Sequence, residues 1–266
     1  GVNDAPALRE AHIGVAMGKT GTEVTREASD MILTDDNFAS IVAAVREGRG
    51  IFDNIRKTLV YVLAGNASEL TVMLGAALFG LPLPLLPLHL LWINLVTDGL
   101  PALALVTDPV EADAMQKPPR KPDEPMLARG QWRTIGLTAA VEGGVVLAMF
   151  AWALQARDLT AARSMAFSVL VFAELFRAFA ARSARRLFWE VGALTNMWLL
   201  AIVALTILLQ IGLHHVPWTQ AVFQIDALAP SDWAIAVGCG LVPATVLELR
   251  KLVGRGRRRR RATAVS

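Results

Sequence analysis

A chain of 266 residues that is 54% hydrophobic and 18% charged, with a mean hydropathy of +0.46, is too apolar for a soluble domain and points to several membrane spans. Its single cysteine, Cys239, excludes a disulfide framework or a thiolate-rich metal site and reads as a small buried hydrophobe. The net charge of +3 does not imply nucleic acid, because the basic residues gather at helix ends and in the tail Arg255–Arg261, as on a membrane face.

In chain order, Gly1-Val2-Asn3-Asp4 is polar, has no initiator Met or signal peptide, and reads as the interior of a longer sequence. Residues 1–36 are the part that reads as soluble. Ala5–Ala11 suits a helix, Ile13–Met17 a strand, Thr22–Ser29 a helix and Met31–Leu33 a strand. That alternation predicts the parallel edge of an α/β sheet, which two strands cannot form alone. Gly14-Val15-Ala16-Met17-Gly18-Lys19-Thr20 has the look of a phosphate-binding loop, but the spacing between its glycines is one residue short. Lys19-Thr20-Gly21-Thr22 matches the end of a phosphorylated Asp-Lys-Thr-Gly-Thr signature, yet Gly18 stands where the nucleophilic aspartate belongs.

Asp35-Asp36-Asn37 offers N-cap oxygens to a helix beginning near Phe38, and no proline follows until Pro82. A helix over Phe38–Leu78 would be roughly 60 Å long, twice a bilayer core, so its charged first part (Arg46 to Lys57) should project from the membrane as a stalk. Its later part is apolar except for Asn66, Ser68 and Glu69, and the i, i+3 spacing of Asn66 and Glu69 predicts a polar face at membrane depth. Five more spans are expected near Leu88–Val106, Ile135–Leu154, Ala162–Ala181, Met197–Leu213 and Trp233–Val253, six in all. The connections Gly80–Pro87 and Val216–Ser231 carry no Lys or Arg, whereas Lys117, Arg120, Lys121, Arg129 and Arg133, then Arg182, Arg185 and Arg186, and the tail are strongly basic. Both termini are therefore expected to be cytoplasmic.

Asn94, Thr97 and Asp98 stand at i, i+3 and i+4 in an apolar run, putting amide, hydroxyl and carboxylate oxygens on one helix face. Gly99 and Pro101 loosen the helical ladder beside them. Such oxygens suit a hard cation, although the pattern also fits a packing face whose Asp98 is satisfied by a neighbouring helix. Glu174 lies in another apolar run and is either a further ligand or the partner of Arg177, one turn on. Arg177 itself is expected to snorkel towards the basic loop that follows, leaving Glu174 free. Glu142 is a fourth intramembrane acid without an assigned role, and His89, His214 and His215 read as interfacial.

Several blocks together resemble one family. Gly1-Val2-Asn3-Asp4-Ala5-Pro6-Ala7-Leu8, Asp35-Asp36-Asn37-Phe38, Glu47-Gly48-Arg49, Asn66-Ala67-Ser68-Glu69, Asn94-Leu95-Val96-Thr97-Asp98-Gly99-Leu100-Pro101 and Lys117-Pro118-Pro119-Arg120 are similar to P-type cation ATPases, closest to the calcium-pump branch. The resemblance implies a mainly α, polytopic fold of six spans after a small haloacid-dehalogenase-like edge. Residues 1–36 would close the phosphorylation domain, 37–57 form the stalk, 58–253 the transport domain and 254–266 a basic cytoplasmic tail. It also implies ion ligands at Asn66, Glu69, Asn94, Thr97, Asp98 and Glu174, and phosphorylation-site support from Asn3 and Asp4. Mg2+ and ATP would serve the longer protein, whose actuator, nucleotide-binding and phosphorylation domains and first four spans would be this chain's partners, together with the lipid bilayer. The expected function is ATP-driven transport of Ca2+, with Mg2+, Mn2+ or H+ as other cargoes and a secondary transporter or channel as the alternative. The expected location is a bacterial plasma membrane, and the chain alone is expected to be inactive because it lacks the phosphorylated aspartate.

Overall fold

The computed structural model describes residues 1–121 and 123–263; Pro122, residues 264–266 and the side chains of Ala193 and residues 256–263 lie outside the described residues. Most of the expected basic tail therefore falls outside them. The chain divides into two units, Gly1–Phe52 with Val110–Pro119, and Asp53–Pro109 with the residues from Arg120 onward.

In the first unit, a 3-10 turn at Val2–Asp4 leads into α1 (Ala5–Glu10), β1 (Val15–Met17), α2 (Glu23–Glu27), β2 (Met31–Leu33) and the start of α3 (Phe38–Leu78). β1 and β2 pair in parallel, Val15 opposite Met31 and Met17 opposite Leu33. The first strand starts later than expected because Gly14 is engaged in a turn. Its N–H donates to the Asp30 carboxylate at 2.8 Å, and its carbonyl accepts from Asp30 and Met31 at 2.9 and 3.0 Å. The glycine-rich stretch after β1 is not shaped for phosphate. Asp36, in the left-handed region at φ 56°, accepts the backbone N–H groups of Lys19 and Thr20 at 2.8 Å each. Those donors, that of Lys19 foremost, hold the exposed Asp36 carboxyl below its ordinary pKa and occupy the amides a phosphate would need. Arg49 of α3 donates to the carbonyls of Ala114 and Lys117 at 2.9 and 2.7 Å, so two blocks of the resemblance meet here.

The second unit is helical. After the rest of α3 come α4 (Pro87–Trp92), a π-helical turn (Ile93–Asp98), α5 (Gly99–Val106), α6 (Arg129–Ala156), α7 (Leu159–Ala181), α8 (Phe188–Val191), α9 (Met197–Leu213), α10 (Pro217–Phe223) and α11 (Pro230–Thr263). Among the described residues, five stretches are long and apolar enough to cross a membrane: α3, α4 through α5, α6, α7 and α11. The α9 segment, 17 residues long, turns by 89° into α10, and counting that pair as one span gives six.

The core is built on α7, which is buried over most of its length, including the polar Ser164, Ser168, Glu174 and Arg177 it turns inward. Small residues let its neighbours come close: a Cβ at Gly240 of α11 would lie 2.6 Å from that of Phe172, so glycine permits this crossing. At one end of the unit, Asp108 organises a buried polar knot. It accepts from Arg182 Nε at 2.9 Å and Asn196 Nδ2 at 2.8 Å, while Asn54 donates to the Asp108 carbonyl at 2.6 Å. Arg182 also reaches the Gly192 carbonyl and Thr195 Oγ1, both at 2.7 Å. Asp108→Ala strands a buried guanidinium and is expected to cost about 3–5 kcal/mol, read as a fall in the thermal midpoint of the detergent-solubilised protein. An unchanged midpoint would show that water replaces the carboxylate.

Two histidines depart from the expected interfacial position. His214 is fully buried, its Nδ1 2.7 Å from the Asp226 carbonyl and its Nε2 3.0 Å from Ser168 Oγ. His89 is likewise buried, stacked on Phe167 with Nε2 2.7 Å from the Phe223 carbonyl. The α10 segment and the turn after it supply those carbonyls, and His215 stays exposed.

Candidate cation site

Pro101 has no N–H, so the carbonyl four residues back, on Thr97, loses its helical donor. The backbone answers with the π-helical turn Ile93–Asp98, and the hydroxyl of Tyr61 on α3 donates to the freed Thr97 carbonyl at 3.2 Å. Tyr61 also lies 3.3 Å from the Glu174 carbonyl on α7, tying three spans together at one level.

Around this knot three carboxylates from three spans converge. Glu69 (α3), Asp98 (the π turn) and Glu174 (α7) each place an oxygen within 4.8 Å of the other two, and all three are buried. Thr97 donates to Glu174 Oε2 at 2.8 Å, and the Asn94 amide nitrogen lies 3.1 and 3.0 Å from the two Glu69 oxygens. Among the described residues, both Asp98 oxygens and Glu174 Oε1 are buried without a hydrogen-bond partner. Unpaired carboxylate oxygens inside an apolar bundle are costly, and hydrogen-bond donors or a cation would satisfy them.

Space for Asp98 is made by Gly65. A Cβ there would stand 2.5 Å from Asp98 Oδ2 and 3.1 Å from Arg177 Nη2. In an ordinary helix Gly→Ala stabilises, but Gly65→Ala must push the carboxylate aside. It is expected to cost about 1–3 kcal/mol of overpacking, read as a fall in the thermal midpoint in detergent. An unchanged midpoint would show that the carboxylate can move without loss.

Residues 82–253 match the family described as cation transporting ATPase, C-terminus. The chain belongs to that family. It is 43% identical over 93% of its length to a calcium-transporting ATPase of Bacillus subtilis, covering 28% of that protein. It is 41% identical over 92% of its length to the probable cation-transporting ATPase F of Mycobacterium bovis, again covering 28%. The human calcium-transporting ATPase type 2C member 2 is 39% identical over 95% of this chain, which covers 27% of it. The chain thus spans just over a quarter of the length of these relatives, and the resemblance to calcium pumps drawn from its motifs is borne out.

Within this cation-transporting ATPase region, Arg177 departs most from expectation. It does not snorkel: its side chain is 2% exposed. Its Nε donates to Glu142 Oε2 at 2.9 Å, its Nη1 to the Tyr61 carbonyl at 2.8 Å, and its guanidinium carbon lies 4.5 Å from the Tyr61 ring centre. A buried acid on α6 offers a shorter route to neutrality than a headgroup a turn or more away. Glu142 thereby gains a role, and Glu174 is left without a cationic partner, as expected, though by a different route.

Asn66 is not brought into the cluster. The buried residues of this stretch of α3, Tyr61, Gly65, Ser68, Val72 and Ala76, recur at helical spacing with Glu69 at the margin, and Asn66 lies about 60° beyond it on an exposed face. Asn94 is exposed yet holds Glu69, and Thr97 is fully buried. Asn3 and Asp4 are exposed in the first unit, where Asp4 contacts the amino terminus. Tyr61 and Gly65, which sequence reasoning passed over, were signalled by their i, i+4, i+8 spacing with Glu69.

Proposed function

We propose that this chain carries most of the cation site of an ATP-driven P-type pump whose cargo is Ca2+. The observation that carries the reading is the convergence of Glu69, Asp98 and Glu174 from three spans, with oxygens left unpartnered. Hard oxygen donors of this kind suit Ca2+, and the names of the Bacillus subtilis and human relatives support that cargo. Counting Glu142, four buried carboxylates face one guanidinium, so the site is short of positive charge, and a divalent cation supplies it.

In this reading Glu69, Asp98, Glu174 and the Thr97 hydroxyl hold the ion. Asn94 turns its amide over, so that the carbonyl oxygen replaces the NH2 group now facing Glu69. Asn66 would become a ligand only through rotation of α3 or by serving a face completed by the rest of the pump. Six spans with both termini on the cytoplasmic side are part of the proposal, as are residues 1–36 as the closing edge of a haloacid-dehalogenase-like phosphorylation domain. Asn3 and Asp4 would there support the phosphoryl group and Mg2+. Phosphoryl transfer that moves α3 would carry Glu69 with it, and a shift of an ångström or two would open the oxygen cage.

The test is Ca2+ binding by this chain in detergent with radioactive Ca2+ as probe. Glu174→Gln is expected to weaken binding at least tenfold while thermal stability holds, since Glu174 has no cationic partner to strand. The chain alone should show no vanadate-sensitive ATP hydrolysis. Equal Ca2+ binding by wild type and variant would sink the site, and hydrolysis by the chain alone would sink the assignment of catalysis to the longer protein.

A further inference from the structure

Away from the carboxylates, the second unit holds a cavity of about 430 Å³ between α3, α6, α7 and α11. Its rim carries Arg56 and Lys57 from α3, Arg185 from the turn after α7, and Arg250, Lys251 and Arg255 from α11; no Asp or Glu lines it. Several of these cations are paired outside the cavity: Lys251 with Glu248 at 2.6 Å, Arg56 with Glu124 at 3.5 Å, and Arg255 with Glu190. Arg185 and Arg250 have no ion pair among the described residues, and Arg250 donates only to Thr134 Oγ1 at 2.9 Å. Glu190, outside the cavity lining, is held down to a pKa of about 2 by its hydrogen bond with Arg255. The rest of the lining is mostly apolar, with Val60, Ala64 and Leu247, and also includes Tyr61, Thr138 and Arg177.

We propose that this cavity is a binding site for one anionic phospholipid. A ring of cations around an apolar slot at the end of a helix bundle fits an amphiphile whose phosphate meets the rim and whose first methylenes enter between the helices. A free anion would satisfy the rim and leave the apolar walls bare. A zwitterionic lipid would satisfy the walls but bring its own cation to a rim where Arg185 and Arg250 have no ion pair among the described residues. The lining reaches Tyr61 and Arg177, beside the carboxylates, but none of Glu69, Asp98 and Glu174 is part of it.

The test uses the full-length pump purified in mild detergent, with lipid retention measured by native mass spectrometry after exchange against phosphatidylcholine and phosphatidylglycerol. One tightly retained phosphatidylglycerol is expected. The Arg185→Gln/Arg250→Gln double variant should weaken its retention about 30-fold, which is about 2 kcal/mol at roughly 1 kcal/mol per cation. Ala181→Phe, which fills the slot and keeps every charge, should also displace it. Arg129→Gln/Arg133→Gln removes two nearby charges of α6 outside the cavity lining and should change nothing. Equal loss in that control would reduce the effect to general surface charge and overturn the site. Retention unaffected by Ala181→Phe, or displacement of the lipid by millimolar inorganic phosphate, would show a free-anion site instead. No preference for phosphatidylglycerol over phosphatidylcholine would also refute the proposal.

Discussion

Asp98→Asn in the full-length pump is expected to abolish cation-dependent phosphorylation from ATP at ordinary Ca2+ concentrations while leaving phosphorylation from inorganic phosphate intact. Asparagine keeps the volume beside Gly65, so packing is preserved and charge is the variable. Asp98 is nearest to what a bound cation needs, since both its oxygens are buried and neither has a partner. Losing one buried charge interaction of this kind costs about 2–5 kcal/mol, which places the Ca2+ requirement roughly 100-fold higher. Phosphorylation from phosphate does not require an occupied cation site, so it separates a damaged ion site from a misfolded protein. Ordinary Ca2+ activation in the variant would remove Asp98 from the ligand set, and loss of both phosphorylation routes would place the defect in folding.

Arg177→Ala should produce a large loss of stability. The substitution strands Glu142, which is fully buried on α6, and removes the guanidinium that ties α7 to the Tyr61 carbonyl on α3. Breaking a buried pair from one side costs about 3–5 kcal/mol because a charge is left uncompensated, seen as a lower thermal midpoint in detergent. Pairing it with Glu142→Gln removes the stranded charge and should recover most of the loss, whereas pairing it with Glu174→Gln should recover little. Equal rescue by the two partners would mean that the arginine serves the whole cluster rather than Glu142.

These two residues also mark how far the sequence could be read. The burial of Asp98 among oxygen-bearing groups was legible because a carboxylate stands in an apolar run with Asn94 one turn before, Thr97 beside it and Gly99 and Pro101 after. The ends of α3 were legible for a similar reason: N-cap oxygens at one end and a proline-free run to the other. Glu142 and Arg177 were not, since pairing between α6 and α7 depends on how two helices rotate against each other, and each helix is apolar over so much of its surface that periodicity does not fix that rotation. Asn66 shows the same limit within one helix. An i, i+3 relation to Glu69 allows a shared face, but the buried stripe of α3 is centred on Gly65 and Val72, and Asn66 falls outside it. The histidines were misplaced because the turn of α9 into α10 brings backbone carbonyls back over the bundle, and hydropathy does not register such a return.

Tyr61, whose hydroxyl caps the carbonyl freed by Pro101, is the single tyrosine among the 266 residues. Fluorotyrosine incorporated into this chain would therefore give one 19F resonance, reporting from the junction of three spans beside the carboxylates. Titrating the labelled protein with Ca2+ would follow that line as the Thr97 carbonyl responds. The ring's position over Arg177 would make the same nucleus sensitive to the guanidinium. The chain thus contains, without any engineered label site, a spectroscopic window on the junction of its three carboxylate-bearing spans.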